Sequence, residues 1–438
     1  MKLKDFFYNR YLILSPIFLL YAAVIIVKGR LLPVGDGFRY WNYANNLLNG
    51  YFGDPSLEPG FLWSGPGYPI LLTLFRYFDT PILIPTLLNS VFVYLGALFF
   101  SLSLSSYLKY KYQIIISFLL IVLNPTLLIY STYLYTEPLV FFLSSFLIYR
   151  IIYKDHTNRN NQIMTGVLCG YIILVKIIFA YVFLTFLLFL LIVFLIKREK
   201  IYKNYLYICL IAFVICIPYQ INTYNLTNRI FYWGDSGGDL LYSISSPYQI
   251  DLGQWQEGNS EFLKETIKYK YGHLSPDLIN SVNDLIFENR IKNHGLFLES
   301  LNGLNGIEKN DKLIKRAIKN IRQNKLTFIK NWILNTSRLF IGYPYSLYFK
   351  PPNTPIRMVY NIFISSLFFW SFLFAIFSII RSFSMVKMEI KLATFIFLIY
   401  LGGTTLLATQ SQRFLIPATP LMLFIISFTL NKSFKFIK

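Results

Sequence analysis

The sequence predicts an all-α polytopic membrane protein with about ten transmembrane helices and a mainly helical extracytoplasmic domain. Of the 438 residues, 55% are hydrophobic and only 14% are charged, whereas a soluble domain carries about 25% charge. Many apolar runs reach ~17 residues or more, which is long enough to cross the hydrocarbon core as helices. Lys and Arg collect in alternate segments between these runs, as they do in cytoplasmic loops.

The apolar runs place ten predicted spans. Their bounds are Tyr11–Val27, Pro81–Leu102, Ile114–Leu128, Pro138–Tyr153, Ile163–Leu174, Ile177–Ile196, Tyr205–Tyr219, Met358–Ile380, Leu392–Ala408 and Phe414–Leu430. If the N-terminus is cytoplasmic, every inside segment is basic, and the short outside turns at 130–136 and 410–412 contain no Lys or Arg. We therefore expect cytoplasmic termini and a location in a bacterial inner or plasma membrane.

The stretch 163–196 decides the number of spans in the first half of the chain. It is an apolar run of about 34 residues between two basic segments, and a single helix would be too long and would end on the wrong side. Two short helices with a turn near Lys176 restore the alternation. This arrangement also puts Lys176 at the outer surface, because a charge in the middle of the bilayer is costly.

The predicted organisation has three parts. Residues 1–220 contain seven spans and a first outer loop at 29–80, residues 221–357 form an extracytoplasmic domain, and residues 358–438 contain three spans. A net charge of +20 fits basic loops beside anionic lipid better than nucleic-acid binding. The three cysteines lie in apolar runs and the three histidines are scattered, so the sequence predicts no zinc or iron site.

Both outer segments contain an amphipathic helix. The first lies between Asp36 and Gly50, which suit the start and the end of a helix, and we expect it to lie flat on the membrane. Its apolar stripe consists of Tyr40, Tyr43, Ala44, Leu47 and Leu48. The stripe of the second helix consists of Leu313, Ile314, Ala317, Ile318 and Ile321. Lys and Arg surround this second stripe, which indicates a solvated helix or, alternatively, one that contacts lipid phosphates.

Four charged residues are predicted at the same depth on the outer face. Asp36 and Glu137 are carboxylates that could bind a cation or share the work of a base, although each also suits the start of a helix. Lys176 and Arg413 are cations that suit a phosphate leaving group, or that could simply contact lipid headgroups.

Four motifs occur in order along most of the chain. They are Asp36 followed by a helix to Gly50, Ser64-Gly65-Pro66-Gly67-Tyr68-Pro69, Asn124-Pro125 through Thr136-Glu137, and Arg413-Phe414-Leu415-Ile416-Pro417. With this order, the chain resembles the GT-C superfamily of membrane glycosyltransferases, and most closely the protein O-mannosyltransferases and the lipid A aminoarabinose transferases. It departs from them where Gly37 replaces the Glu of the Asp-Glu pair in many protein O-mannosyltransferases, and where Lys176 replaces an Arg.

The resemblance implies transfer of a single sugar from a polyprenyl-phosphate donor to an acceptor hydroxyl of a glycan, lipid or protein, with inversion. It implies that Asp36 is the catalytic base, that Glu137 supports it, and that Lys176, Arg413 and Arg39 bind the donor phosphate. Tyr40, Tyr68 and Tyr135 belong to the same motifs and are assigned to substrate binding. A divalent metal, Mg or Mn, held by Asp36 and Glu137, is left open.

Three other functions are consistent with a polytopic membrane protein. A transporter or flippase would place ionisable groups in the middle of spans and would show inverted repeats, and the sequence shows neither. An oligosaccharide polymerase or ligase would also use a large basic outer loop. An inactive relative serving as a scaffold is the third alternative.

Overall fold

The computed structural model is all-helical. It describes residues 3–53, 61–105, 124–248, 293–341, 388–407 and 412–436, with isolated residues between these ranges. Within these ranges the chain forms helices, turns and no strands.

The main helices are numbered along the chain. They are α1 (Leu3–Lys28), α2 (Asp36–Leu48), α3 (Gly67–Tyr77), α4 (Leu83–Leu104), α5 (Pro125–Ser131), α6 (Glu137–Tyr153), α7 (Arg159–Val175), α8 (Ile178–Lys197), α9 (Lys200–Thr227), α10 (Gly237–Ile244), α11 (Gly306–Gln323), α12 (Lys325–Ile341), α13 (Met388–Leu406) and α14 (Thr419–Phe436). A 3₁₀ turn at Gln412–Leu415 precedes α14.

Four helices in the described part of the chain are long and apolar enough to cross a membrane: α1 from Arg10, α4, α8 and α9. Shorter apolar segments lie in α13 and α14, at Ile390–Leu406 and Thr419–Thr429. The predicted count of ten spans is not confirmed, because most of Ile114–Leu128 and of Met358–Ile380 lies outside the described residues.

The last predicted span begins later than expected. Its first residues, from Phe414, belong to the 3₁₀ turn, and α14 starts at Thr419. Pro417 explains the difference, because it has no backbone N–H and its ring disrupts a continuing α-helix.

Small residues bring the helices of the bundle together. Gly166 and Gly170 lie one turn apart on α7, and a Cβ at either position would come within 3 Å of α9. On α4, a Cβ at Gly96 would lie 2.5 Å from the Phe141 ring of α6. Such close approaches replace the hydrophobic driving force that is missing between helices in lipid.

The helix ends that the sequence predicts on the outer side meet on one side of the bundle, which we call the Asp36 side. They include the starts of α6 and α8 and the end of α13, which together border one cavity. The predicted turn at Lys176 is present between α7 and α8. The orientation of these helix ends relative to a membrane stays a prediction.

The first outer helix, α2, packs its apolar stripe against the rest of the protein. Its apolar side chains Tyr40, Tyr43 and Ala44 are buried in the same core as Tyr68 of α3. The stripe therefore packs against protein, and only Leu48 at its end is exposed.

The second outer segment forms a small polar-rimmed domain. Leu313 and Ala317 of α11 pack with Tyr242 of α10 and with Leu301. Part of the predicted stripe therefore covers a protein core, while Ile318 at its edge is exposed. The predicted boundaries of this domain stay a prediction, because residues 254–292 and 342–357 lie outside the described part.

Candidate active site

A cavity of about 390 Å³ opens on the Asp36 side, where the helix ends meet. Six of the eight residues that the sequence assigns to a site line it. They are Asp36, Arg39, Tyr40, Glu137, Lys176 and Arg413. A pocket of this size falls in the range that binds small molecules.

Asp36 is the first residue of α2, and its carboxylate is held by two cations. Its Oδ2 lies 2.7 Å from Nη1 of Arg413, and its Oδ1 lies 3.4 Å from Nη1 of Arg39. It does not cap the helix, because Gly35 occupies the N-cap position with φ +56°. Only a glycine adopts this conformation readily, and a Cβ there would lie 2.6 Å from the Tyr135 hydroxyl.

Glu137 begins α6 and is only 3% exposed. Its Oε1 lies 3.1 Å from Nζ of Lys176, which follows the last residue of α7. The carboxylate also lies at the positive end of the α6 dipole. Glu137 and Lys176 therefore form a buried ion pair that links the start of one helix to the end of another.

Burial lowers the pKa of Lys176, and the carboxylate of Glu137 opposes this effect. Burial also acts to lower the pKa of Arg413, but the carboxylates of Asp36 and Glu137 outweigh it, so the pKa of Arg413 is raised. Arg413 therefore stays charged.

Aromatic rings enclose Arg413. Its guanidinium carbon lies 5.9, 5.4 and 5.1 Å from the ring centroids of Tyr130, Tyr135 and Phe414. These cation–π contacts fix the guanidinium beside Asp36.

Tyr68 and Tyr135 do not line the cavity, in contrast to Tyr40. Tyr68 is 1% exposed, and its ring meets that of Tyr40 edge to face at 5.2 Å. Tyr135 lies behind Arg413. Tyr68 and Tyr135, which were assigned to substrate binding, thus contact residues that line the cavity and do not line it themselves.

The first outer loop also contacts the turn at Lys176. A Cβ at Gly65 would lie 2.1 Å from the carbonyl oxygen of Leu174, and a Cβ at Gly67 would lie 2.7 Å from the backbone nitrogen of Val175. The two glycines of the Ser64–Pro69 motif therefore allow the loop backbone to touch the turn that carries Lys176.

Several residues that line the cavity were not predicted as site residues from the sequence. Trp63 lies under Arg39, with the guanidinium carbon 4.7 Å from its ring, and Ile178, Tyr181 and Thr404 add an apolar wall. None of these belongs to a charged or turn-rich motif. The turn at 232–239 is more visible in the sequence, and Gly234, Ser236 and Gly237 line the cavity.

Asp235 lies in this turn and is 4% exposed. Within the part of the chain that the structure describes, no hydrogen-bond partner lies within reach of its carboxylate oxygens. Burial raises the pKa of Asp235 to about 6.

Few of the described side chains could coordinate a metal ion. Among the described residues, no group of three or more His, Cys, Asp or Glu side chains could hold one. Mg²⁺ can bind through one or two carboxylates together with substrate phosphate, so Asp36 and Glu137 fit only if a phosphate completes the shell. The ion would also have to compete with Arg413 and Lys176 for them.

No family model matches the sequence, and no curated protein matches it. Two solved structures from Archaeoglobus fulgidus are similar in fold. The archaeal oligosaccharyltransferase AglB in complex with an inhibitory peptide and a dolichol-phosphate is 13% identical, with a TM-score of 0.46, over 98% of this chain and 51% of that chain. The oligosaccharyltransferase tethered to an acceptor peptide containing the NVT sequon is 15% identical, with a TM-score of 0.48, over 97% of this chain and 50% of that chain. The chain thus spans about half the length of these structures, and this distant likeness does not establish a family.

Proposed function

We propose that the protein is a GT-C type membrane glycosyltransferase that moves a single sugar from a polyprenyl-phosphate donor to an acceptor hydroxyl. One observation carries this proposal. A cavity at the ends of apolar helices contains Asp36 in contact with Arg413, beside the buried pair of Glu137 and Lys176. This arrangement supports the proposal, because a carboxylate that could act as a base and cations that could bind phosphate border one cavity at the ends of apolar helices.

The proposed reaction uses Asp36 as the base. Its carboxylate accepts the proton of the acceptor hydroxyl as the hydroxyl oxygen attacks the anomeric carbon. Attack comes from the face opposite the phosphate, so the configuration inverts. The bond from the anomeric carbon to the phosphate oxygen breaks, and its electron pair leaves with the lipid phosphate.

Lys176, Arg413 and Arg39 offset the charge of the leaving phosphate in this proposal. Fixed charges in a water-poor site stabilise a transition state more strongly than they would in water. Glu137 positions Lys176. If a divalent metal binds, Asp36 and Glu137 would hold it, and it would supply further charge for the phosphate.

Donor turnover in lipid nanodiscs tests the proposal. A panel of polyprenyl-phosphate sugars is offered with candidate acceptors, and release of polyprenyl phosphate is followed with divalent metal or with excess chelator. We expect Asp36→Asn to lower turnover by about 10²–10⁴-fold, the contribution of general base catalysis. Asp79→Asn is the matched control, because Asp79 is a highly exposed carboxylate at the end of α3.

The outcomes separate the alternatives. Full turnover by Asp36→Asn would exclude Asp36 as the base. Release only from lipid-linked oligosaccharides would favour the polymerase or ligase function over single-sugar transfer. Loss of turnover in chelator would favour the metal-assisted version. No release from any donor would overturn the proposal.

A further inference from the structure

Between residues 329 and 338, helix α12 buries polar side chains and exposes apolar ones, whereas its last turn buries Leu339 and Phe340. Asn331, Asn335 and Arg338 are at most 2% exposed. Ile329, Trp332 and Ile333 are 47%, 40% and 60% exposed, and their i, i+3, i+4 spacing puts them on one face. Burial of apolar side chains therefore accounts for the packing of the last turn only, and the exposed apolar face requires an apolar environment of its own.

The buried asparagines show what holds the helix. Nδ2 of Asn335 donates to the carbonyl oxygens of Thr405 and Leu407, both at 2.8 Å, at the end of α13. Nδ2 of Asn331 donates to the carbonyl oxygens of Ile244 and Ser246, at 2.9 and 3.0 Å, at the end of α10. These bonds satisfy carbonyls that a helix end leaves without an internal partner.

These contacts also fix the depth of α12. Asn335 lies at the end of the apolar helix α13, hence at the boundary of the transmembrane region on the Asp36 side. At a rise of 1.5 Å per residue, Ile333 lies within about 3 Å of that level and Ile329 within about 9 Å, whatever the tilt of the helix. The headgroup region on each side of the hydrocarbon core is of comparable thickness, about 5–8 Å.

The residue types on and beside the exposed face of α12 are those found at the depth of the lipid headgroups. Trp332 is a residue type enriched at membrane interfaces. Lys325 and Lys330 are exposed beside the apolar residues, and such side chains can extend toward lipid phosphates. An apolar face with adjoining lysines is typical of helices at membrane surfaces.

We propose that the α12 face formed by Ile329, Trp332 and Ile333 contacts phospholipid at the boundary between headgroups and acyl chains. The helix thereby rests the outer domain on the bilayer surface next to the cavity. The amphipathic helix predicted from the sequence, α11, packs Leu313 and Ala317 of its stripe against protein and leaves Ile318 exposed, and α12 supplies the lipid contact.

Spin labels in nanodiscs of phosphatidylcholine and phosphatidylglycerol test this proposal. The native Cys169, Cys209 and Cys216 are buried, so labels can be placed at Ile329→Cys and Ile333→Cys. Ile318→Cys is the matched control, because Ile318 is 41% exposed on α11 of the outer domain. Collisions with oxygen report lipid, and collisions with a water-soluble nickel chelate report water.

We expect labels at positions 329 and 333 to favour oxygen over the nickel chelate, and the label at position 318 to favour the chelate. Equal access of the chelate to all three positions would overturn the proposal. Shielding of positions 329 and 333 from both reagents would overturn it as well, because it would show a protein partner on this face. Both positions are exposed, so a label at either one leaves the buried contacts of α12 intact.

Discussion

At the scale of single residues, each carboxylate of the cavity is paired with a cation, and Arg39 adds a further positive charge beside Asp36. Asp36 is paired with Arg413, and Glu137 with Lys176, in surroundings where an unpaired charge would be costly. The sequence predicted all four residues at one depth. It could not predict which cation meets which carboxylate, because pairing depends on the rotation and packing of helices that are far apart in the chain.

The Glu137–Lys176 pair gives a test by double-mutant cycle. The two side chains are 4% and 13% exposed, so Lys176→Met or Glu137→Gln alone leaves a buried charge without its partner. We expect each single variant to lower the free energy of unfolding by about 3–5 kcal/mol, and the double variant to regain most of it. Denaturant titration in mixed micelles measures this. Additive losses would show that the pair is not coupled.

Asp235 gives a test by pH. Its folded pKa of about 6 is above its ordinary value of 3.8, so between these values the unfolded chain releases the proton and the folded chain keeps it. Stability therefore falls as the pH rises from about 4 to 6, and the loss is complete above pH 6. We expect Asp235→Asn to unfold at a higher temperature than the wild type at pH 7.5, and at nearly the same temperature at pH 4. If the difference in unfolding temperature between Asp235→Asn and the wild type did not change with pH, the titration of Asp235 would not be its cause.

At the scale of helices and loops, glycines set the close approach between the first outer loop and the turn at Lys176. The motif Ser64–Pro69 was notable in the sequence for its resemblance to a family pattern, and the structure gives a physical reason for its glycines. Their missing Cβ atoms let backbone meet backbone at Leu174 and Val175. This contact joins the loop that follows Asp36 to the turn that carries Lys176.

Replacing Gly65 by Ala tests this approach. A Cβ 2.1 Å from a backbone carbonyl oxygen cannot be accommodated by a side-chain shift, so the turn at Lys176 must move. We expect Gly65→Ala to lower donor turnover by tenfold or more, because displacements of about 1 Å near reacting groups can cost about 10²-fold. Gly402→Ala is the control, since a Cβ there meets nothing within 4 Å. Equal turnover in both variants would contradict the proposed importance of the contact.

Sequence periodicity predicted the helices of the bundle better than it predicted their surroundings. The turn at Lys176 follows from charge alternation and span length, and α2 follows from its start and stop residues. The apolar face of α2 packs on protein, while the proposed lipid contact belongs to α12, which the sequence did not single out. Periodicity shows that a helix has an apolar face, and it does not show whether protein or lipid covers that face.

At the scale of the whole molecule, two different contacts hold α11 beside the end of α9 and the start of α10. Arg229, just after α9, forms a double hydrogen bond with Asp311 at 2.8 and 2.5 Å. Oδ1 of Asn310 accepts from the backbone N–H of Gly238 at 2.8 Å, and Asn310 is 5% exposed. The Arg229 and Asp311 side chains are 38% and 37% exposed.

The exposure of these side chains predicts that the hydrogen bond between Asn310 and Gly238 contributes more to stability than the ion pair between Arg229 and Asp311. We expect Arg229→Gln to change the free energy of unfolding by less than about 1 kcal/mol, because exposed ion pairs are screened by water. Asn310→Ala should cost about 1–3 kcal/mol, because it leaves a buried N–H without an acceptor. Denaturant titration ranks the two variants. The reverse order would show that the ion pair is protected from solvent in the membrane-bound protein.

The ion pair between Asp36 and Arg413 also has a consequence for biosynthesis. The two residues lie near opposite ends of the chain, and a ribosome adds about 5–20 residues per second. Arg413 therefore leaves the ribosome roughly 20–75 seconds after Asp36. During that interval the early helices can enter the membrane while the carboxylate still lacks this partner. The nascent protein would gain its charge-balanced site only with the last hairpin, so an incomplete chain would be inserted but inert.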